Sequence, residues 1–306
     1  MNSERDFISQ LQQRFALSGP VMVGIGDDGA VLDASSKEQV VVTDMLLDGR
    51  HFKLSETNPK LIGRKALAVN LSDLAAMGCW PTAAFVSIAV SETSKDRDRF
   101  LSGLYDGIEE LTQRYDFTLA GGDTNSWAGP FAINVCLTGV PIGDAPKLRS
   151  DAKPGDLIFV TGTLGGSYES GRHLSFEPRL QEAKWLSTNA NVHALMDISD
   201  GLSVDLHRMM QASSSGAVLE ADAVPISTNV DMSLDQDLRF GRALSDGEDF
   251  ELLGTATPDE IDRIRDLSGF SSLNLSVIGQ VTEGKDVMVR RDNRLEPLPA
   301  VGWQHL

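Results

Sequence analysis

One predicted helix constrains how this chain can fold. Across residues 60–77, leucines recur at spacings of four and three residues and small apolar residues fill most other positions, so most of the helix is buried. Asn70 and Asp73 lie three residues apart within it and therefore share one face. A carboxylate on a buried helix costs free energy unless it is paired, hydrogen-bonded or bound to a metal. Asp73 is therefore a candidate metal ligand, with a capping or structural role as the alternative.

Four other segments place aspartates directly after apolar, strand-like runs. They are Gly26-Asp27-Asp28, Thr43-Asp44, Gly121-Gly122-Asp123 and Asp197-Ile198-Ser199-Asp200. Two converging carboxylates about 4 Å apart would repel by roughly 4 kcal/mol at an effective dielectric constant of about 20. Mg²⁺ relieves such repulsion, because it prefers oxygen ligands and bridges carboxylates to substrate phosphates. Histidine and cysteine are nearly absent from these segments, which disfavours zinc. Each aspartate alone is explained as well by a turn or a cap, but the five segments together favour magnesium.

The charge balance excludes some classes of partner. The chain has 27 Lys and Arg against 44 Asp and Glu, a formal net charge of −17. This argues against nucleic acid or an anionic membrane as the main partner. Cys79 and Cys136 have the spacing of neither a zinc site nor a disulfide framework. No signal peptide and no run of transmembrane length is visible, which predicts a cytoplasmic location.

The first half of the chain is predicted to fold as an α+β domain, because its strands outnumber its βαβ units. The predicted helices are 3–16, 60–77 and 96–115. Residues 21–29 are predicted as a short strand that runs into a turn, and the other predicted strands are 31–33, 39–47, 82–90, 117–120 and 131–140. A turn is expected at 121–125, between the last two strands. The polar stretch 143–155, which contains proline and glycine, marks the boundary between a domain of residues 1–148 and one of residues 149–306.

The second half is predicted to be an α/β domain. Strands are predicted at 156–162, 216–220, 250–256, 272–281 and 285–291, with a further strand ending at Asp197. Helices are predicted near 178–190 and at 202–212 and 258–267, and a turn at 163–167 is expected to lead into another helix.

Other features indicate phosphate chemistry more weakly. Glycines precede Asp27, Asp123 and Ser167 and would let backbone amides approach a phosphate, although turns use glycine anyway. The helix that follows Asp200 also presents its N-terminus to an anion. No P-loop, catalytic triad or general base is visible. This absence suits transfer to a phosphate, because a phosphate oxygen is already ionised at neutral pH.

These motifs together resemble the thiamine-monophosphate kinase family of the aminoimidazole-ribonucleotide-synthetase superfamily. The segments that carry the resemblance are Gly24–Ala30, Thr43-Asp44, Asp48–Phe52, Lys65–Gly78, Gly121–Thr124, Asp197–Gly201 and Gly247–Glu251. They run in order along nearly the whole chain, to Trp303, and the block of residues 65–78 is the most specific.

The resemblance implies a fold and a reaction. An α+β N-terminal domain, with an antiparallel sheet and helices, pairs with its copy in a homodimer to build a β-barrel, and an α/β domain follows. The reaction is direct in-line transfer of a phosphoryl group from ATP to thiamine monophosphate, giving thiamine diphosphate, the last step of its biosynthesis.

The resemblance also implies roles for individual residues, with no catalytic acid or base. Several Mg²⁺ ions are expected at Asp28, Thr43, Asp44, Asp73, Asp123, Asp197 and Asp200. ATP contacts are expected at Gly122, Arg149, Ser199 and Tyr105, and thiamine-phosphate contacts at His51, Glu248 and Trp303. From position alone, Arg149 is also explained as a surface arginine, His51 as an exposed loop histidine and Trp303 as core.

Two departures and several alternatives accompany the resemblance. Val42 stands where members of the family often carry serine, and the segment 166–197 is shorter than in the longer members. Another ATP-using member of the superfamily is the main alternative. However, selenophosphate synthetases carry a reactive cysteine or selenocysteine near the N-terminus, and no cysteine precedes Cys79 here. The hydrogenase-maturation members end in a cysteine, and this chain does not. Aminoimidazole-ribonucleotide synthetase fits the motifs less well. A non-catalytic regulator that binds Mg-nucleotide is the alternative from another class.

Overall fold

The computed structural model describes residues 10–23, 31–33, 38–92, 96–268 and 273–303. Its contacts divide the chain into two units. Unit 1 comprises residues 1–74 and 80–141, and unit 2 comprises residues 75–79 and 142–306. No helix within the described ranges has both the length and the apolar character needed to cross a membrane.

Unit 1 is built on a four-stranded sheet. Its elements are β1 (Val21–Val23), β2 (Val31–Leu32), β3 (Val40–Leu47), α1 (Pro59–Ala76), β4 (Cys79–Ser91), α2 (Arg97–Tyr115), β5 (Thr118–Trp127) and β6 (Ala132–Pro141). The strand order of the sheet is β3-β6-β4-β5, and β1 and β2 form a separate antiparallel pair. Of the predicted helix 3–16, residues 10–14 are helical and most of the remainder lies outside the described residues.

The sheet of unit 1 is mixed, which corrects the antiparallel sheet that the resemblance implied. Strands β3 and β6 pair antiparallel, whereas β4 and β5 pair in parallel. The parallel pair follows from α2, which connects β4 to β5 as a crossover helix. Among the described residues, this sheet does not close into a barrel within one chain.

Helix α1 is buried, as the leucine spacing predicts. Leu67, Leu71 and Leu74 are fully inaccessible to solvent. Helix α2 packs against α1 at very short range, because a Cβ atom at Gly63 would lie 1.9 Å from the carbonyl oxygen of Leu104. Glycine is therefore required at this crossing, and the close contact fixes the position of α1, which carries Asn70 and Asp73.

The predicted turn at 121–125 is wrong, because β5 runs straight through these residues. Gly122 is needed for a different reason. A Cβ atom there would lie 2.0 Å from the carbonyl oxygen of Val86 on the neighbouring strand β4. The Gly-Gly pair therefore allows two strands to lie close together and does not reverse the chain.

Unit 2 is built on a seven-stranded sheet. Its elements are β7 (Leu157–Thr161), α3 (Leu180–Asn189), β8 (Leu195–Asp197), α4 (Leu202–Ala212), β9 (Gly216–Glu220), α5 (Gln236–Ser245), β10 (Leu252–Ala256), α6 (Pro258–Ser268), β11 (Leu275–Thr282), β12 (Val287–Arg291) and β13 (Arg294–Pro297). The strand order is β13-β12-β9-β11-β7-β10-β8.

This second sheet is mixed as well. All of its strand pairs are antiparallel except β9 with β12. The α/β prediction is therefore confirmed only as a mixture of helices and strands. Helix α5 and strand β13 were not predicted. The helix expected after Ser167 is only a short 3-10 turn at Arg172–Leu174.

Candidate functional site

A buried aspartate organises the loop that carries three of the predicted site residues. Asp205 lies on the first turns of α4, and its Oδ2 accepts hydrogen bonds from the backbone amides of Ser199, Asp200 and Gly201 at 3.1, 3.0 and 3.2 Å. Its Oδ1 accepts a hydrogen bond from Arg208 at 2.8 Å. Burial, together with the neighbouring Asp200, raises the pKa of the Asp205 carboxyl to about 6.

These three amides belong to the loop that precedes α4, whose helical residues begin at Leu202, and they donate to a carboxylate of the protein itself. The expectation that the N-terminus of α4 favours an anion stays a prediction. Arg208 also donates to Asp200 Oδ2 at 2.6 Å. The loop 197–201 is therefore held by an internal carboxylate and one arginine.

The same loop brings Glu248 and Trp303 together. The backbone amide of Glu248 donates to the carbonyl of Ser199 at 2.7 Å, and the amide of Trp303 donates to the carbonyl of Asp200 at 2.9 Å. A Cβ atom at Gly302 would lie 2.4 Å from that second carbonyl, so glycine is needed beside Trp303. The structure thus places together four residues that the resemblance assigned to ATP, metal and substrate. The Trp303 side chain is 42% exposed.

Glu248 has an unusual backbone conformation and several partners. Its φ angle of 54° lies in the left-handed region, which residues other than glycine rarely adopt. Ser167 Oγ donates to the Glu248 carbonyl at 2.6 Å. The Glu248 Oε2 lies 2.9 Å from Nδ1 of His173, whose ring stacks on Tyr168.

Two further buried carboxylates follow Glu248 in the chain. Asp249 accepts hydrogen bonds from the amide of Gly165 and from Arg172, the latter at 2.5 Å. Burial nevertheless raises the pKa of Asp249 to about 7. Glu251 forms a bidentate pair with Arg179 at 2.6 and 2.8 Å. These ion pairs fix the segment on which Glu248 sits.

In unit 1, Thr43 and Asp44 lie on opposite faces of β3. Successive side chains of a strand alternate, and the burial along β3 follows that alternation, with Thr43 on the exposed side. Asp44 lies on the inner side, where its residue pairs with the fully buried Val135 of β6. Thr43 Oγ1 accepts a hydrogen bond from Asn134 at 3.0 Å. Within one chain these two side chains therefore do not face the same point.

Helix α1 presents an unusual oxygen next to Asp73. Asn70 is fully buried, and its Nδ2 donates to the carbonyl of Ala66 at 3.0 Å. Among the described residues, nothing donates a hydrogen bond to its Oδ1. Asp73, three residues further on, is half-buried. Such a buried oxygen, which accepts no hydrogen bond and lies on the same helix face as a carboxylate, fits a site for a cation or for water bound to a cation.

Other predicted ATP contacts have different surroundings. Tyr105 is buried against Phe15, and its hydroxyl is hydrogen-bonded to Thr124. Burial raises the pKa of Tyr105 to about 12. Arg149 is exposed, and its carbonyl accepts a hydrogen bond from Ser213 Oγ at 2.9 Å. Arg149 thus fits either of the two predictions, a surface arginine or a phosphate clamp.

His51 lies in the tight turn that follows β3. Its Nδ1 accepts a hydrogen bond from the amide of Leu47 at 2.9 Å, which places the ring proton on Nε2. The carbonyl of His51 accepts a hydrogen bond from the fully buried Lys65 at 2.7 Å. The histidine is therefore held by both its ring and its backbone.

The predicted metal ligands do not form a complete cluster in the part of the chain that the structure describes. No group of three or more His, Cys, Asp or Glu side chains there is placed to hold a metal ion. Asp28 lies outside the described residues. Asp123 is exposed on β5, and its Oδ2 accepts a hydrogen bond from Asn125 at 3.3 Å. Asp197 is buried at the end of β8.

Sequence reasoning missed several residues of this site. Asp205 and Arg208 support the loop 197–201, and His173 and Tyr168 adjoin Glu248. One signal was available for Asp205, which stands on the apolar face of a helix whose Leu206 and Met209 were predicted to point inward. No such signal marks His173, because its partner is 75 residues away in the chain.

Comparisons with known proteins identify the family of this chain. The chain matches the family models of the AIR synthase related protein, with the N-terminal domain at residues 26–141 and the C-terminal domain at residues 153–292. It is 42% identical to the thiamine-monophosphate kinase of Rhodopirellula baltica, over 84% of this chain and 83% of the relative. It is 33% identical to the thiamine-monophosphate kinase of Bacillus subtilis, over 99% of both chains.

A solved structure shows the same fold. AaThiL complexed with AMPPCP and TMP superimposes with a TM-score of 0.76 and 28% identity, over 99% of this chain and 96% of that chain. The chain belongs to the AIR synthase related proteins and, among them, to the thiamine-monophosphate kinase family.

Proposed function

We propose that this protein transfers a phosphoryl group from ATP to thiamine monophosphate, yielding ADP and thiamine diphosphate in the cytoplasm. The observation that carries the proposal is the grouping of Ser199, Asp200, Glu248 and Trp303 around one rigid loop. The relatives are named thiamine-monophosphate kinases, and one solved structure is that of AaThiL complexed with AMPPCP and TMP. The residues of the loop would meet the phosphates, and Glu248 and Trp303 the thiamine.

The chemistry requires alignment and charge neutralisation more than proton transfer. The acceptor oxygen belongs to a phosphate that is ionised at neutral pH, so no general base is needed. Trp303 offers an exposed aromatic face for a flat cationic ring, and Glu248 offers a carboxylate for its positive charge. Arg149 is the predicted cation for a phosphate of ATP.

Magnesium is part of the same proposal. The predicted ligands supply oxygen only, which suits Mg²⁺, and Asn70 Oδ1 adds a buried oxygen beside Asp73. When bound, Mg²⁺ neutralises charge on the phosphates of the two substrates. The residues proposed to hold several ions are Asp28, Thr43, Asp44, Asp73, Asp123, Asp197 and Asp200.

A homodimer is supported by one face of β3. This strand lies at the edge of its sheet, and Val41 and Met45 are 61% and 58% exposed on the same face as Thr43 and Leu47. Exposed apolar side chains along an edge strand favour contact with another sheet. A second copy of this chain is the proposed occupant. Met45→Glu should shift the sedimentation coefficient from dimer to monomer, and a wild-type protein that is monomeric at micromolar concentration would contradict the dimer.

A coupled assay for ADP tests the function directly. Thiamine monophosphate, free thiamine and a panel of other phosphorylated acceptors are compared at equal concentration with ATP and Mg²⁺. We expect ADP release with thiamine monophosphate and little with free thiamine. Turnover with free thiamine but not with the monophosphate would overturn the assignment of the acceptor, and nucleotide binding without any turnover would favour a regulator.

Asp73→Asn tests the metal assignment. The side chain keeps its size but loses its charge, so turnover should fall by about two orders of magnitude or more while the thermal midpoint stays within a few degrees. A variant that unfolds would indicate a structural role for Asp73, and a folded variant with full turnover would show that the Asp73 carboxylate is not needed as a metal ligand.

A further inference from the structure

A histidine holds the carboxylate of Glu248 from behind. His173 Nδ1 lies 2.9 Å from Glu248 Oε2. Because a carboxylate can only accept, the Nδ1 of the ring carries the proton in this contact. The His173 side chain is 5% exposed and that of Glu248 is 22% exposed, so this polar contact is largely shielded from water. Shielding strengthens a polar contact with a charged group relative to one in solvent.

Tyr168 covers this histidine. The two rings stack with centroids 4.5 Å apart and planes 23° from parallel. Tyr168 itself is 42% exposed, so it forms the solvent-facing layer over the buried imidazole. The stack leaves the imidazole few orientations other than the one that meets Glu248.

The backbones of the two partners are fixed as well. The amide of His173 donates to the carbonyl of Ser167 at 3.2 Å, and Ser167 Oγ donates to the carbonyl of Glu248 at 2.6 Å. Glu248 also has a left-handed φ angle, a conformation that persists only when the surroundings hold it. The position of the carboxylate is therefore set by the protein before any ligand is bound.

We propose that His173 is a positioning residue that fixes the Glu248 carboxylate toward the positively charged ring portion of thiamine monophosphate, with Tyr168 holding the imidazole in place. The inference rests on the proposed function, since that function supplies the cationic ligand of Glu248. Its consequence is specific: His173 contributes to the affinity for thiamine monophosphate and not to the affinity for ATP.

The test compares three variants of the full-length protein with wild type. His173→Leu removes the donor, whereas His173→Asn keeps an N–H near the position of Nδ1. His193→Leu is the matched control, because His193 Nδ1 also lies 2.9 Å from a carboxylate, that of Asp156. The amide of His193 donates to the carbonyl of Thr255, in the part of β10 that lies away from Glu248 in the sequence. Initial rates give KM for thiamine monophosphate, KM for ATP and kcat, and thermal unfolding reports stability.

We expect His173→Leu to raise KM for thiamine monophosphate by about tenfold, with kcat and KM for ATP within about twofold of wild type. His173→Asn should recover most of the loss, and His193→Leu should change stability but neither KM. An unchanged KM for thiamine monophosphate in His173→Leu, an equal rise in both KM values, or no recovery in His173→Asn would overturn the inference.

A second pair of variants covers the case in which His173→Leu does not fold. Tyr168→Phe keeps the stack, whereas Tyr168→Ala removes it, so KM for thiamine monophosphate should be higher in Tyr168→Ala than in Tyr168→Phe, with KM for ATP equal in the two. Equal KM values for these two variants would contradict the role of the stack. A wild-type protein that does not turn over thiamine monophosphate would identify the proposed function as the error. An active wild type with an unaffected His173→Leu would identify this inference as the error.

Discussion

Replacing Asp205 with alanine gives a strong test of how the loop 197–201 is held. The substitution removes the acceptor of three backbone amides and a partner of Arg208. A buried N–H left without a partner costs about 1–3 kcal/mol. The amide of the half-buried Ser199 can form a hydrogen bond to water instead. Removing a carboxylate whose burial is itself unfavourable also offsets part of the lost stability. We therefore expect the free energy of unfolding to fall by about 3 kcal/mol.

The matched control is an aspartate whose side chain accepts a hydrogen bond from one backbone amide instead of three. Asp235 caps helix α5, where its side chain accepts one hydrogen bond, from the amide of Leu238 at 2.8 Å, in an exposed position. Asp235→Ala should cost about 1 kcal/mol, as is usual for the loss of an N-cap. Asp205→Asn keeps one oxygen for the amides and should lie between the two alanine variants.

The assay is urea-induced unfolding followed by circular dichroism, with initial rates measured alongside. Asp205→Ala should also lower kcat, because the same loop carries Ser199 and Asp200. If Asp205→Ala costs no more stability than Asp235→Ala, the three amides are not held by this carboxylate in the way described. Unchanged turnover would show that the loop keeps its shape without Asp205.

Four shorter predictions use other features. Gly122→Ala should lower the free energy of unfolding by about 2–3 kcal/mol, because its Cβ would lie 2.0 Å from the carbonyl of Val86. A Cβ atom at Gly241 on helix α5 would have no atom within 4 Å, so Gly241→Ala should raise the free energy of unfolding by about 0.5–1 kcal/mol. Urea unfolding measures the stability of both glycine variants. Trp303→Ala should raise KM for thiamine monophosphate about tenfold and more than KM for ATP, and an equal rise in both would argue against stacking. Asp249 has a pKa of about 7, above its ordinary value near 4, so its contribution to stability is present in acid and lost as pH rises through 7. Unfolding followed from pH 5 to 8 should show this decline, and Asp249→Asn should flatten it.

Neighbouring charges bear on that last prediction. Arg172 favours the ionised form of Asp249, and Glu251 favours the neutral form. Because both partners stay in place in Asp249→Asn, the difference between the two pH profiles isolates the Asp249 carboxyl. Identical profiles for wild type and Asp249→Asn would show that the group does not titrate in this range.

Periodic elements could be predicted from the sequence because their burial repeats along the chain. The inward positions of α1 and of α4, including Leu67 and Leu206, follow a helical spacing and are fully buried. The turn at 121–125 could not be rejected on the same grounds, since a Gly-Gly pair is typical of turns. Its real cause is the nearness of Val86, which lies 36 residues earlier in the chain. Helix α5 was missed although Asp235 is a typical N-cap and Phe240 and Leu244 share a face.

The site shows a similar division. Residues in motifs, such as Asp200 and Glu248, could be named from the resemblance, and the structure places them together. Residues that act through backbone amides or through a distant partner, such as Asp205 and His173, could not be identified from local spacing. Their roles depend on contacts that exist only after the chain has folded.

The buried ammonium group of Lys65 links two parts of unit 1 mechanically. It extends from α1, the helix that carries Asp73, and donates to the backbone carbonyl of His51 at 2.7 Å. Breaking this hydrogen bond would leave a fully buried ammonium group without its partner, which costs free energy. The contact is therefore hard to break. The turn that bears His51 and the helix that bears Asp73 are therefore joined by a buried hydrogen bond, and we expect a displacement of the helix along its axis to be transmitted to this turn.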